Sequence, residues 1–432
     1  MKKVLFILLK DSFSFFREHS ILYAVEEFRK RGFSPEVLRV EPKWSRSKSG
    51  FGQYSITYDL FCRIRAMDPD LIVGWENGGC LWSLNLQADE GLVNAVNLLQ
   101  KPAIFMWDNT LTQAVNFLGD NFEEVKAVLT APNALHFSHD RGDTAHAGKI
   151  FGAGKMKVRF QLHNTAGLFY GLQQKEEDFF AYDVSHCGNI YVDYLTKNTP
   201  PFSGDAGLSE AVESAQAEKY SNLQKPIFDI YRESLEKAGS TLAPDSPFFW
   251  EAYNYLLLAA NTGIRLKMFE AVRQRLDFFG CYSDPGSGDY LSSRDNISFH
   301  SPVAYGAPIS EVYKTSKINL IIGNMINQDG ISPKLVDCLL SGGFALVDPR
   351  PELYSFFGPE VDRIIYRSAG ELNEKIAYFL DRAEERRELV HVLSGRIRTA
   401  MGSEGGIFDS YLSAINEFHQ GRRSFRDCIE AA

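Results

Sequence analysis

The residues best suited to chemistry surround one predicted helix in the last third of the sequence. Ser332 is a good N-cap residue, and Pro333 suits the first helical position because it has no N–H group to leave unpaired. The pair Gly342-Gly343 ends the helix. A predicted buried strand over 318–322 precedes it, so the N-terminal end of the helix should lie at the carboxyl edge of a sheet. Backbone N–H groups and the positive end of the helix dipole make that end suitable for an anion.

Two charged residues extend this pattern. Lys334 adds a positive charge in the first turn, and Asp337 lies three residues further along the same face. This arrangement suits a nucleotide diphosphate, with Lys334 on phosphate and Asp337 on the ribose hydroxyls. The alternative is a surface ion pair between the two residues at a well-capped helix. Spacing alone leaves both interpretations open.

Strands and helices alternate along the first part of the chain. The predicted strands are 3–10, 35–40, 71–76, 103–108, 134–138 and 158–162, and the predicted helices are 14–31, 58–67 and 91–100. The strands are short and mostly apolar, as in a parallel sheet that is covered by helices on both faces. The pattern predicts a doubly wound α/β domain over residues 1–170.

A second alternating series predicts another doubly wound domain over residues 171–404. Its predicted strands are 181–188, 276–280, 318–322 and 344–347, and its predicted helices are 248–275, 333–340, 371–381 and 385–399. Ser368 and Glu371 form a capping box. A polar stretch over 195–245 indicates a helical insertion on the surface. Residues 405–432 include a last predicted helix that packs back on the first domain. Two such sheets would face each other across a cleft at the carboxyl ends of their strands.

Composition excludes several classes of protein. The chain has 432 residues, 44% hydrophobic and 23% charged, which is typical of a globular protein with two or three domains. With 46 Lys and Arg against 55 Asp and Glu, the net charge is −9, which disfavours binding to nucleic acid. Six scattered cysteines without a CxxC pair indicate free thiols in a reducing compartment. The first apolar run, residues 4–9, is too short for a transmembrane segment, so we expect a cytoplasmic protein.

Four stretches of the second half carry a resemblance to a known family. They are residues 183–188, 308–320, 328–350 and 370–391. Together they resemble the carboxyl-terminal domain of bacterial glycosyltransferases of the CgeB group (spore maturation, YkvP-like). The resemblance covers about 180–195 and 275–400 and is weak over the first half. One departure from the family pattern is Lys334, where Arg is commoner; Lys is a point charge and Arg a planar fork.

The resemblance implies a GT-B fold and transfer of a sugar from a nucleotide-diphosphate donor to an acceptor hydroxyl of a protein or glycan. Carried over residue by residue, the donor-binding positions are Gly188, Tyr313, Lys334, Asp337, Ser341 and Gly342. Gly188 would allow close approach to phosphate, or it is an ordinary turn glycine. Tyr313 would lie near the base, or it packs a helix onto the sheet. Ser341 and Gly342 would bind the donor, or they only cap the helix.

The resemblance also places the acceptor and any general base in the first half. Asp108 is the favoured base because it follows a predicted core strand, and Glu76 and His19 are rivals. Alternatively, the two carboxylates cap helices and His19 is a solvated helix residue. An enzyme that retains the configuration of the sugar needs no such base. We expect no cofactor and no metal, because the helix end and Lys334 can neutralise the leaving diphosphate.

Two other functions remain open at this point. A nonhydrolysing sugar-nucleotide epimerase shares the layout of two sheets and needs no acceptor. A non-catalytic protein of GT-B shape would bind sugar or assemble a surface structure.

Overall fold

The chain forms two compact units. The computed structural model describes residues 3–9, 14–40, 43–46, 52–74, 83–85, 92–94, 99, 101–106, 111–113, 122–152, 156–160, 179–197, 199–200, 202–280, 284, 286–401, 412–413 and 416. The first unit comprises Met1–Gly167, Ala243–Trp250 and Met401–Ala432, and the second comprises Leu168–Leu242 and Glu251–Ala400. Most of the segment 405–432 lies outside the described residues, so its packing stays a prediction.

The first unit is built on a parallel sheet. Its strands are β1 (Lys3–Leu9), β2 (Ser34–Val40), β3 (Lys43–Arg46), β4 (Gly52–Thr57), β5 (Leu71–Gly74), β6 (Ser83–Asn85), β7 (Leu92–Asn94), β8 (Ala103–Met106), β9 (Ala134–Ser138) and β10 (Val158–Phe160). Its helices are α1 (Ser14–Lys30), α2 (Tyr58–Met67), α3 (Phe122–Leu129) and α4 (Arg141–Phe151). Six strands pair in the order β10-β9-β8-β5-β1-β2, all parallel. All residues of β5, β8 and β9 are buried, which explains their apolar sequences.

A second, smaller sheet of this unit corrects one prediction. Strands β3, β4, β6 and β7 form a four-stranded sheet with mixed pairing. Its edge strand β7 pairs antiparallel with β6 over Leu92–Asn94, so the helix predicted over 91–100 is wrong at these residues. Pairing with a neighbouring strand outweighs a local helical pattern of apolar residues there.

The second unit has five parallel strands in a Rossmann order. The strands are β11 (Tyr182–Gly188), β12 (Leu276–Gly280), β13 (Ile297–His300), β14 (Ser316–Ile321) and β15 (Ala345–Val347). They pair as β13-β12-β11-β14-β15, so the order reverses direction between β11 and β14. In open sheets of this type, ligands bind outside the carboxyl ends of the strands at that reversal.

Ten helices of the described chain surround or extend this sheet. They are α5 (Val192–Lys197), α6 (Ala206–Ser221), α7 (Ile227–Lys237), α8 (Pro247–Ala271), α9 (Ser287–Ser292), α10 (Ala307–Lys314), α11 (Pro333–Leu340), α12 (Pro351–Phe357), α13 (Ala369–Leu380) and α14 (Ala383–Met401). None of the described helices is both long and apolar enough to cross a membrane.

The helical insertion predicted over 195–245 is present as α6 and α7. Both helices bury an apolar stripe, and the Lys219 side chain is also fully buried. Lys219 donates hydrogen bonds to the carbonyl oxygens of Leu223 (2.7 Å) and Lys225 (2.6 Å). Burial, together with the nearby Arg350 charge, lowers the pKa of Lys219 to about 7. The insertion is therefore packed into the second unit rather than lying loosely on its surface.

Candidate functional site

The candidate site lies at the strand-order reversal of the second unit, where β11 and β14 end. Gly188 is the last residue of β11 and is in register with Gly280 of β12. A Cβ atom on Gly280 would lie 1.6 Å from the carbonyl oxygen of Gly188, so only glycine allows the two strand ends to approach this closely.

Helix α11 begins next to this corner and has the predicted boundaries. Ser332 occupies the N-cap position with extended backbone angles, but its side chain makes no capping hydrogen bond. The Ser332 carbonyl oxygen instead accepts a 3.0 Å bond from the N–H of Leu335. At the other end, Gly342 has a φ of 90° and the N–H of Gly343 bonds to Cys338 O at 2.9 Å, which forms a Schellman motif.

Lys334, in the first turn of α11, reaches the end of β11. Its Nζ donates a 2.8 Å hydrogen bond to the carbonyl oxygen of Cys187. A Cβ atom on Gly188 would lie 2.6 Å from that Nζ and 2.6 Å from Nε2 of His186. The space over Gly188 is thus flanked by two nitrogen atoms and admits no side chain. The structure brings Gly188 and Lys334 together, as the donor-site prediction requires.

Arg265 is a second cation at this corner, and the sequence analysis missed it. It projects from α8 and is only 4% exposed. Its guanidinium donates to the carbonyl oxygens of Asn189, just after β11, and of Ile322, just after β14. It therefore bridges the two strand ends at the reversal. The available signal was a single Arg within the apolar face of a long predicted helix.

Within the described residues, Lys334 and Arg265 form no salt bridge with a carboxylate. Burial, reinforced by the charge of Arg265, lowers the pKa of Lys334 to about 7. Burial also lowers the pKa of Arg265. Because buried charges are normally paired, an anion bound at this corner would stabilise both cations, and no described carboxylate forms a salt bridge with either.

Asp337 lies on the same helix but makes no ion pair with Lys334. It is 2% exposed, and its Oδ2 accepts a 2.7 Å hydrogen bond from the hydroxyl of Tyr305. Burial raises the pKa of Asp337 to about 8, against the opposing effects of that bond and of the Lys334 charge. Its Oδ1 has no hydrogen-bond partner in the described part of the chain. The surface ion pair considered above is therefore not what the structure contains.

The remaining donor-site predictions are Tyr313, Ser341 and Gly342. Tyr313 is buried in α10, and burial raises its pKa well above the usual value. Its carbonyl oxygen accepts a 2.9 Å bond from Asn319 of β14, which fits a packing role. Ser341 and Gly342 lie at the C-terminal end of α11, opposite Lys334, where both take part in ending the helix. The Ser341 hydroxyl is buried without a hydrogen-bond partner among the described residues.

The loop 322–332, which joins β14 to α11, is held from two sides. Asp348 accepts a 2.6 Å bond from the N–H of Gly323 and pairs with the buried Arg350 at 2.9 Å. Gln328 accepts a bond from the N–H of Phe228 on α7 (3.2 Å) and donates one to the hydroxyl of Tyr253 on α8 (2.9 Å). The insertion therefore helps to fix the loop that leads into α11.

The three acceptor-side candidates lie outside what the structure describes. Asp108 and Glu76 fall in undescribed segments, and the His19 side chain is undescribed although its backbone belongs to α1. A neighbouring feature is described: the carboxyl of Asp143 on α4 accepts hydrogen bonds from the backbone N–H groups of Leu111 and Thr112. Burial, with the nearby Asp140, raises the pKa of Asp143 to about 7. Leu111 and Thr112 are thus anchored to α4.

Two comparisons with known proteins agree with this description. Residues 265–401 match the family model described as Glycosyl transferase-like. The solved structure of the DNA-modifying enzyme beta-glucosyltransferase is similar over 96% of this chain and 99% of its own, at 11% identity and a TM-score of 0.51. T4 phage BGT in complex with UDP and Mn²⁺ is similar over 96% of this chain and 99% of its own, at 12% identity and a TM-score of 0.50. No curated protein matches the sequence.

The fold, with a parallel α/β sheet in each of its two units, is GT-B, and residues 265–401 match the model of a glycosyl transferase-like family. The predicted fold class and the predicted enzyme class are therefore confirmed. The resemblance to the CgeB group stays a prediction, as do the roles of the site residues.

Proposed function

We propose that this chain transfers a sugar from a nucleoside-diphosphate sugar to an acceptor hydroxyl of a protein or glycan. The observation that carries the proposal is the pair of buried cations at the strand-order reversal, Lys334 and Arg265, neither of which forms a salt bridge with a carboxylate among the described residues. A diphosphate supplies the missing negative charge at the position where such sheets bind nucleotides.

The same geometry suggests how the leaving group is stabilised. As the bond between the sugar and the diphosphate breaks, negative charge grows on the phosphate oxygens. The start of α11 and the Lys334 ammonium are fixed beforehand, so they stabilise that charge without reorganisation. Asp337, with an unpaired Oδ1, is the group we assign to the ribose hydroxyls. We further propose that no metal or cofactor is required, so a chelator should leave the rate of transfer unchanged.

The first test is a thermal-shift panel of UDP, GDP, dTDP and CMP sugars. A ligand present at about 100 times its Kd stabilises a native protein by about 2.7 kcal/mol, which raises the melting temperature measurably. UDP sugars are the first choice, because one structurally similar protein is described in complex with UDP. A panel without any shift would contradict the proposal. Epimerised nucleotide sugar formed without an acceptor would instead identify an epimerase.

We also propose that the chain belongs to the CgeB-like group of bacterial glycosyltransferases. The support is the order of residues in loop 322–332 and α11, where an Asp-Gly pair, a basic residue, an acidic residue and a Gly-Gly pair follow one another. Detection of transferred sugar on a protein or glycan acceptor would test this assignment.

A further inference from the structure

His186 is a polar side chain in the apolar centre of the second sheet. It is 1% exposed, and its ring packs against Phe269 of α8 and Phe278 of β12, with ring centroids 4.8 and 5.2 Å away. Its Nδ1 lies 2.8 Å from the carbonyl oxygen of Leu320 on β14. Because a carbonyl oxygen can only accept, Nδ1 carries the hydrogen, and the neutral ring has a lone pair at Nε2.

The Nε2 atom is buried and has no hydrogen-bond partner in the described part of the chain. Nε2 lies at the end of β11 beside Lys334. A Cβ atom on Gly188 would lie 2.6 Å from Nε2 of His186 and 2.6 Å from Nζ of Lys334. The two nitrogen atoms are therefore no further apart than twice that distance. A buried acceptor without a partner destabilises the fold unless something outside the chain satisfies it.

The surroundings decide what kind of partner Nε2 can take. The charged groups that act on the ring are Lys334 of α11 and Arg265 of α8, whereas β12 presents Phe278 and β14 only the Leu320 carbonyl. Burial and these two cations hold the pKa of His186 well below its usual value, so the ring stays neutral. A neutral Nε2 accepts hydrogen bonds and donates none. Ionised phosphate oxygens cannot pair with it, but a hydroxyl group can.

We propose that Nε2 of His186 accepts a hydrogen bond from a hydroxyl group of the nucleotide sugar, beside the diphosphate held by Lys334 and Arg265. This inference rests on the proposed function and adds the part of the donor that His186 recognises. The ribose and the transferred sugar both carry hydroxyl groups close to the diphosphate. The chemistry of recognition is the same for both, and the experiment distinguishes them.

Two variants separate the two ring nitrogens. His186→Asn keeps a donor for the Leu320 carbonyl and removes the acceptor at Nε2, whereas His186→Gln keeps an acceptor near the Nε2 position. Calorimetric titration with UDP-glucose should show about 10- to 100-fold weaker binding for His186→Asn and recovery of most of that loss for His186→Gln. The wild-type protein is also titrated with UDP-glucose analogues that each lack one hydroxyl of the ribose or of the glucose. One analogue should bind as weakly to the wild type as to His186→Asn, which identifies the hydroxyl.

A ligand without any hydroxyl group provides the control. P1,P2-dimethyl diphosphate should bind the wild type and His186→Asn equally and should bind Lys334→Met more weakly. If His186→Asn weakens the binding of dimethyl diphosphate as much as it weakens the binding of UDP-glucose, the inference is overturned, because the ring would then contact phosphate. If the wild-type protein binds every deoxy analogue as tightly as UDP-glucose, that result alone overturns the inference. Wild-type protein that binds no nucleotide sugar would overturn the proposed function itself.

Discussion

The Nζ atom of Lys334 donates a 2.8 Å hydrogen bond to the carbonyl oxygen of Cys187, which ties the first turn of α11 to the end of β11. The lysine is thus positioned by the backbone of the sheet and not by a carboxylate. An ammonium group has three hydrogens, so one bond to Cys187 leaves others for a phosphate oxygen.

Removal of the Lys334 charge should weaken donor binding. Lys334→Met keeps most of the aliphatic stem, so the main loss is the charge-assisted contact to phosphate, worth about 1.5–3 kcal/mol or roughly 10- to 100-fold in Kd. Calorimetric titration with UDP-glucose measures this change. An unaltered Kd in a folded variant would show that the diphosphate binds elsewhere.

A methyl group on Gly188 should block the same corner. In Gly188→Ala the new Cβ would lie 2.6 Å from both His186 Nε2 and Lys334 Nζ, so the lysine must move away and donor affinity should fall at least about tenfold. Gly395→Ala is the matched control, because no atom lies within 4 Å of its added Cβ. Gly395 is inside α14, so alanine there should stabilise the fold by about 0.5–1 kcal/mol and leave Kd unchanged. If both variants have a similar Kd for the donor, a side chain at Gly188 does not block the binding site.

Donor binding should weaken as the pH rises above neutrality. The proposed contact with phosphate requires the charged form of Lys334, and the pKa of this lysine in the free protein is lowered to about 7. Above that pH the free lysine is increasingly neutral, so the affinity for UDP-glucose should fall by up to about tenfold per pH unit. Lys334→Arg should abolish the dependence, because arginine stays charged throughout this range. Calorimetric titrations at several pH values measure how Kd changes with pH. If the change persists in Lys334→Arg, the pH dependence belongs to another group.

Asp108 should be needed for transfer but not for donor binding. If its carboxylate removes the proton of the acceptor hydroxyl, Asp108→Ala should lower kcat by about 100- to 10,000-fold and leave the Kd for the donor unchanged. Glu76→Ala and His19→Ala are the comparison variants, and we expect both to retain transfer. Full activity of Asp108→Ala, with loss in either comparison variant, would reassign the base.

Local signals in the sequence were sufficient to predict α11. Pro333 and the Gly342-Gly343 pair mark its ends, and the structure places α11 at Pro333–Leu340. The alternation of strands and helices predicted a doubly wound sheet, but it did not predict the order of the strands, and β13 was missed. The capping box at α13 is half formed: Ser368 accepts from the N–H of Glu371, whereas the Glu371 carboxylate accepts from the N–H of Arg367.

Residues that reach the site from distant segments could not be predicted. Arg265 is 69 positions away from Lys334 in the sequence, and only the packing of α8 brings its charge to the strand ends. His186 lies in β11, which mixes polar and apolar residues, and nothing in that sequence shows that Nε2 has no hydrogen-bond partner among the described residues. Strands β3 and β4 were missed because their polar sequences lack a buried alternating pattern, and pairing with each other supplies what local propensity does not.

Gln328 joins the N–H of Phe228 and the hydroxyl of Tyr253 to the loop before α11. A graft of this loop onto another scaffold must therefore carry Gln328, Phe228 and Tyr253 together. A shorter chain made by removing part of 195–245 must keep the same three residues. Chimeras between this chain and enzymes without such an insertion should be built with crossovers outside 195–332.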